Sequence, residues 1–360
     1  KKRFKQHPEQ IIMSKATTIE QDGQVTPTSG VSKVFGTKRT CTIIGAPISL
    51  GQGMIGVELG PKVMRQLGIK DRLQEMAWPV THDCNIQVES ANNASITGTR
   101  GASKVQHAQA VGDACKQIYD RVKLARKDGN KDNFVLTIGG DHTISIGTVS
   151  ALREANPSMC VVWISAFADM HTPDTSKTGF MHGMVGGALL KSFDASGLPG
   201  FSFMKEYAGL DNDSIAMIGV RDLDAVEKQQ LKAKNTHVFS MHHIDKYGIA
   251  KVLDLALDAI NPGRDKEIHV IFDMSAIDPL VAPGTGTKVL GGLTYRESRF
   301  VLEEIAKTKL LRSMDISEIN PTISPQMLRC ATGSYEGAPV NTTVAMGMEL
   351  ILSALGRDLL

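Results

Sequence analysis

From Thr40 onward the chain alternates between short apolar runs and longer amphipathic stretches. The apolar runs are Cys41–Ala46, Phe134–Ile138, Cys160–Ser165, Ser214–Val220, His237–Ser240, Ile268–Asp273 and Leu311–Ile316. Most are continuous rather than alternating, as expected of parallel strands covered on both faces. Helical periodicity occupies Lys62–Met76, Ala102–Lys127, Ile144–Ala155, Asp224–Lys234, Ile249–Ile260, Tyr295–Lys307 and Pro339–Leu355. This alternation predicts an α/β fold built on one mostly parallel, doubly wound sheet. No repeat or linker interrupts residues 39–360, which are expected to form a single domain. Residues 1–38 differ. "KKRFKQHPEQ" is basic and polar, and "QDGQVTPTSGVSK" is turn-rich without periodicity, so a mobile polar tail is expected. No apolar segment follows the basic start, which argues against a secretory signal. A transit segment stays open, because the first acid is Glu9.

Composition narrows the function classes. The chain is 42% hydrophobic and 22% charged with a formal net charge of +2, which predicts neither nucleic-acid binding nor a membrane surface. No apolar run approaches the roughly 18 residues of a membrane span. The five cysteines, Cys41, Cys84, Cys115, Cys160 and Cys330, are scattered and form no CxxC pair. They are expected to be structural thiols in a reducing, cytoplasmic setting, with an organelle left open.

In doubly wound sheets the ligand site lies beyond the carboxyl ends of the strands. Five strand ends carry acids or histidines: "GGDHT", "SAFADMH", "RDLDAVE", "DMSAIDP" and "SEINP". A single strand-end Asp is more often a helix cap, but five such ends on one rim imply a polar pocket. The segment "WISAFADMHTPDTSKTGF" offers Asp169, His171, Asp174 and His182 as metal-site material. Yet its first two outward positions hold Ser165 and Phe167. "GGDH" taken alone describes only a turn, with Asp141 as a helix cap. The glycines at 284, 286, 291 and 292 precede no Lys-Ser/Thr pair, so they are loop glycines and not a phosphate cradle.

Together these motifs resemble the arginase family of ureohydrolases. The resemblance covers about residues 40 to 360. It rests on "IIGAPISLGQGMIGVELGP", "IGGDHTISIG", "ADMHTPDTSKTGFMHG", "FDMSAIDPLVAPGTGTKVLGGLTYRE" and "MDISEINP". It implies a three-layer α/β/α fold, a homotrimer and a pair of Mn²⁺ ions. In the family the ions activate a bridging hydroxide that attacks the guanidinium carbon of arginine, giving ornithine and urea. Guanidinium is a poor electrophile, and metal coordination makes hydroxide available by lowering the pKa of water from roughly 15.7 to about 7. Hard oxygen ligands with imidazole suit Mn²⁺.

Carried over position by position, the resemblance implies metal ligands at His142, Asp169 and Asp273. At the other three ligand positions stand Ser165, where a carboxylate would bridge both ions, Phe167 in place of a His, and Ser275 in place of an Asp. A neutral serine removes a full charge and cannot bind through two oxygens. A benzyl group supplies no lone pair. The expectation is a chain that binds no Mn²⁺ tightly, is inactive as an arginase, and is retained as a regulatory, scaffold or small-ligand-binding homo-oligomer. The alternative is a ureohydrolase with residual or single-metal activity on the three remaining ligands. Substrate-contact positions give a mixed picture. His171 replaces the Asn that reads the amino-acid carboxylate, and Thr178 replaces a Ser. His182 matches the proton shuttle, here vestigial. Asp224 matches the acid near the substrate amino group, with Glu227 one helical turn on and on the same face. Glu318 matches the acid facing the guanidinium, and Thr287 a hydroxyl beside it. This lining implies a cationic amino acid or similar small ligand. Arg296 and Glu297 match positions near the family's subunit interfaces.

Overall fold

The computed structural model describes residues 39–88, 104–127, 132–324, 327–328 and 340–357. The tail expected at 1–38 and Cys330 lie outside the described residues. Eight strands form one sheet: β1 (Thr40–Ala46), β2 (Val80–Asn85), β3 (Asn133–Gly139), β4 (Cys160–Ile164), β5 (Ile215–Val220), β6 (His237–Ser240), β7 (Ile268–Asp273) and β8 (Leu311–Ser317). Their order is β2-β1-β3-β8-β7-β4-β5-β6, and every neighbouring pair is parallel. A short antiparallel pair, β9 (Met327–Leu328) and β10 (Val340–Asn341), lies apart from it.

All seven strands expected from apolar runs are present. The eighth, β2, reads "VTHDCN" and is mostly exposed because it is an edge strand with one neighbour. Its polarity hides it from a reading based on apolar runs. Arg65 holds it in place, donating from Nε to Asp83 at 2.8 Å and from Nη1 to Asn85 at 2.7 Å.

The helices are α1 (Gly60–Gln66), α2 (Ile69–Glu75), α3 (Ala108–Ala125), α4 (Ile144–Ala155), α5 (Val185–Leu189), α6 (Ala225–Lys234), α7 (Met241–Tyr247), α8 (Ile249–Ile260), α9 (Tyr295–Lys307) and α10 (Thr342–Ala354). One helix was expected over Lys62–Met76. Two form instead, because Gly68 adopts a left-handed conformation at φ 75° and breaks the ladder. The last helix begins at Thr342, where the Asn341 side chain accepts from the amides of Thr343 and Val344.

Alternate side chains of the sheet face opposite layers. On one face Leu136, Ile138, Val162, Val270, Phe272 and Met314 pack with residues of α1, α2, α8, α9 and α10. On the other Val135, Val161, Trp163 and Ile271 pack with α3 and α4. The result is a three-layer α/β/α fold with burial on both sides, which is why the strands carry continuous apolar runs. Cys41, Cys115 and Cys160 are buried in these cores and unpaired, and no disulfide forms among the described residues. Burial pushes the Cys160 thiol up to about 12 and raises those of Cys41 and Cys115 as well, so all three are inert packing residues.

The strand ends are brought together by close backbone contacts. At Gly140, just after β3, a Cβ would meet Ile48 O at 2.2 Å and Ala46 O at 2.7 Å. Only glycine lets the loops after β1 and β3 pack there. Gly140→Ala is expected to destabilise the fold by about 1–3 kcal/mol or more. Gly197→Ala, where nothing lies within 4 Å of the added methyl, should stay within about 0.5 kcal/mol of the parent. Urea-unfolding midpoints check the pair, and equal midpoints would contradict this packing account.

Candidate functional site

The carboxyl ends of β3, β4, β7 and β8 open into a cavity of about 420 Å³. His142, Asp169, Asp273 and Glu318 line it, as do Phe167 and Ser275. The side wall carries His171, Thr178, His182, Asp224, Glu227 and Thr287. Sequence reasoning placed all of these at one pocket. Ser165 lies beneath the floor, fully buried. Asp174 takes no part: it sits on the surface, paired with Lys104 at 2.7 Å. The cavity also contains Lys177, Asp222 and Thr285, which sequence reasoning missed. Gln52 was missed too; it donates to Glu318 Oε2 at 2.9 Å. Nothing in the spacing of polar residues singles out these four.

Asp273 ends β7 with its side chain 2% exposed. Its Oδ2 accepts from Ser165 Oγ at 2.6 Å and from Ser275 Oγ, and its Oδ1 accepts from Ser275 N at 2.8 Å. Ser165 Oγ in turn accepts from Phe167 N at 3.1 Å. The loop after β4 is tied down by Trp163, whose Nε1 donates to the Phe167 carbonyl at 2.9 Å. These bonds carry the Phe167 ring to the cavity wall.

His142 follows the Gly-Gly turn after β3, its ring tilted at 46° against that of Trp163 with 4.5 Å between centres. Its Nδ1 donates to Asp169 Oδ2 at 2.8 Å and lies 3.9 Å from Asp273 Oδ2. Burial alone would pull this imidazole down. The hydrogen bond to Asp169 and the charges of Asp169, Asp273 and Glu318 outweigh it and push His142 up to about 9. Glu318 Oε1 accepts from His142 N at 2.9 Å. Burial, with Asp273 and Asp141 nearby, raises the Glu318 carboxyl well above its ordinary range. His142 and Thr285, both lining the cavity, each bury one polar atom, His142 Nε2 and Thr285 Oγ1, without a hydrogen-bond partner among the described residues. Asp169 and Glu318 both hold left-handed backbones, at φ 50° and 63°. Such conformations are uncommon for non-glycine residues and cluster at functional sites.

Caps account for some of these acids but not in the place expected. Asp224 does cap α6, accepting from the amides of Val226 and Glu227, while Glu227 completes a capping box. Asp141 does not cap α4. It ties Gly51 N, at 2.8 Å, to Thr143 N, at 3.0 Å, across the cavity rim. Glu297 closes the capping box of α9 with Thr294.

The residues that a dinuclear Mn²⁺ centre would use can be tested against this geometry. Asp273 directs both oxygens at serine donors, Asp169 is engaged by His142, and Phe167 offers no donor atom. One imidazole and two carboxylates already held in hydrogen bonds do not fit a pair of divalent ions.

Comparison with known proteins follows the same lines. The sequence profile described as "Arginase family" matches residues 39–356. An arginase from Glaciozyma antarctica (strain PI12) is 38% identical over 343 residues, covering 95% of this chain and 94% of that one. Arginase-2, mitochondrial, from Homo sapiens is 36% identical over 317 residues, covering 88% of this chain and 84% of that one. Among solved structures, the arginase from Bacillus caldovelox superposes with a TM-score of 0.78 at 30% identity, covering 89% of this chain and all of that one (100%). The profile match, the identities and the superposition agree, and the chain belongs to the arginase family.

Proposed function

We propose that this chain is a non-hydrolytic member of the arginase family, one that keeps the fold and acidic pocket without holding a Mn²⁺ pair. In this reading it acts as a regulator or scaffold that binds a cationic small molecule such as a basic amino acid. The observation that carries it is Asp273, which accepts three hydrogen bonds from Ser165 and Ser275, two at Oδ2 and one at Oδ1. A metal ligand needs those lone pairs, and two neighbouring ligand positions now donate protons to it instead. The protonated His142 supplies a positive charge beside Asp169 and Asp273, where the family uses cations. Glu318 and Asp224 on the wall, with Thr287 beside them, give a cationic ligand its partners. A Mn²⁺ pair, where bound, supplies hydroxide at neutral pH. Here the residues bind and orient a cation but furnish no nucleophile. We extend the reading to a closed homotrimer and, from the unpaired buried thiols, to a cytoplasmic setting.

Three outcomes follow from this reading. Protein incubated with Mn²⁺ and arginine is expected to release no urea or ornithine above a protein-free blank; turnover that scales with protein concentration would contradict it. The combined variant Ser165→Asp, Phe167→His and Ser275→Asp is expected to take up about two Mn²⁺ per chain, measured by atomic emission after dialysis. A folded triple variant that stays empty would mean that groups around the ligands were lost as well. The third concerns pH. The His142 imidazole titrates near about 6.5 when unfolded but at about 9 when folded. Its stabilising proton is fully present below the unfolded value and lost as pH rises through the folded one. The raised Glu318 carboxyl pushes in the same direction. Urea midpoints should therefore fall from pH 6.5 to 9, and less steeply in His142→Gln. Identical slopes would remove His142 from the account.

A further inference from the structure

His171, Asp224 and Glu227 meet on the cavity wall, where the loop after β4 passes the first turn of α6. One ligand atom from each lies within 4.8 Å of the other two. His171 Nε2 faces Asp224 Oδ2 at 3.5 Å, too far for a strong hydrogen bond. Two donors that far apart, each about 2.1 Å from one ion, subtend about 110° at it, close to the tetrahedral angle. The opposite ring nitrogen is engaged, since His171 Nδ1 shares a hydrogen bond with Thr175 Oγ1 at 3.3 Å. A contact of that kind fixes the ring as metal-bound imidazoles require.

The two carboxylates are anchored in a similar way. Asp224 uses Oδ1 to cap α6, which leaves Oδ2 directed at the ring. Glu227 accepts from Met170 N and from Asp224 N, both at 3.2 Å, and each of its oxygens keeps a further lone pair. It is 8% exposed. Burial pushes its carboxyl above the ordinary range, so a cation beside it relieves a desolvation cost.

We propose that His171, Asp224 and Glu227 form a divalent-cation site of the Zn²⁺ class on the cavity wall, separate from Asp169 and Asp273. Imidazole and carboxylate are both zinc ligands, and three protein ligands leave a fourth position open to the cavity. A small molecule bearing an amine or carboxylate can coordinate there. The site does not depend on the proposed loss of the Mn²⁺ pair.

Untagged protein is loaded with Zn²⁺, dialysed against metal-free buffer and analysed by atomic emission, with circular dichroism to confirm folding. The parent and His142→Asn should each retain about one ion per chain, and His171→Asn none. Thr175→Val should bind about 10–100-fold more weakly. Asp273→Asn serves as a second control should His142→Asn not fold. Zinc kept by His171→Asn but lost from the controls would put the ion between Asp169 and Asp273, overturning both this inference and the proposed function. Zinc bound equally by all variants, or by none including the parent, would overturn this inference alone.

Discussion

A carboxylate at the end of a central strand must be compensated where water cannot reach it. Asp273 is that group. The parallel sheet delivers it to the floor of the cavity, between β4 and β8, at 2% exposure. An unpaired charge there would cost several kcal/mol. Two serine hydroxyls and one backbone amide compensate it, and the surrounding arrangement follows. Asp169, the other floor carboxylate, is met by His142. Burial, with Asp273 and Asp141 nearby, raises the Glu318 carboxyl. Protons and hydrogen bonds thus balance the charges on the cavity floor.

The scaffold around the floor is strained and tightly packed. Asp169 and Glu318 hold strained left-handed backbones. Gly140 allows backbone approach within about a methyl's width of Ile48 and Ala46. His142 Nε2 and Thr285 Oγ1 are buried without a hydrogen-bond partner among the described residues. Strain and unsatisfied polarity of this kind are costly in a purely structural protein.

Much of this was legible in the chain. Buried strands announce themselves as continuous apolar runs, so seven of the eight were readable, and strand-end acids marked the rim. Strand β2 was not, because an edge strand with half its surface in water carries the composition of a loop. The break at Gly68 depends on one backbone angle that periodicity does not encode. The site was legible to the extent that its residues follow strands: His142, Asp169, Asp273 and Glu318 all do. Lys177 and Thr285 reach the cavity from loops folded over it, and Gln52 reaches Glu318, contacts that are a product of packing. Asp222 follows β5 in a quoted strand end but was not singled out there. The role of Ser165 lay between these cases. The sequence gives its position beside a missing ligand, whereas its hydrogen bond to Asp273 follows only from the pairing of β4 with β7.

The central claim is that the floor of the cavity is satisfied by hydrogen bonds and has no place for two divalent ions. Anomalous diffraction from crystals soaked in Mn²⁺ addresses it most directly. The account predicts no Mn²⁺ peak between Asp169 and Asp273, with Ser165 and Ser275 still hydrogen-bonded to Asp273. Two peaks there about 3.5–4 Å apart, the spacing of dinuclear hydrolytic sites, would contradict it.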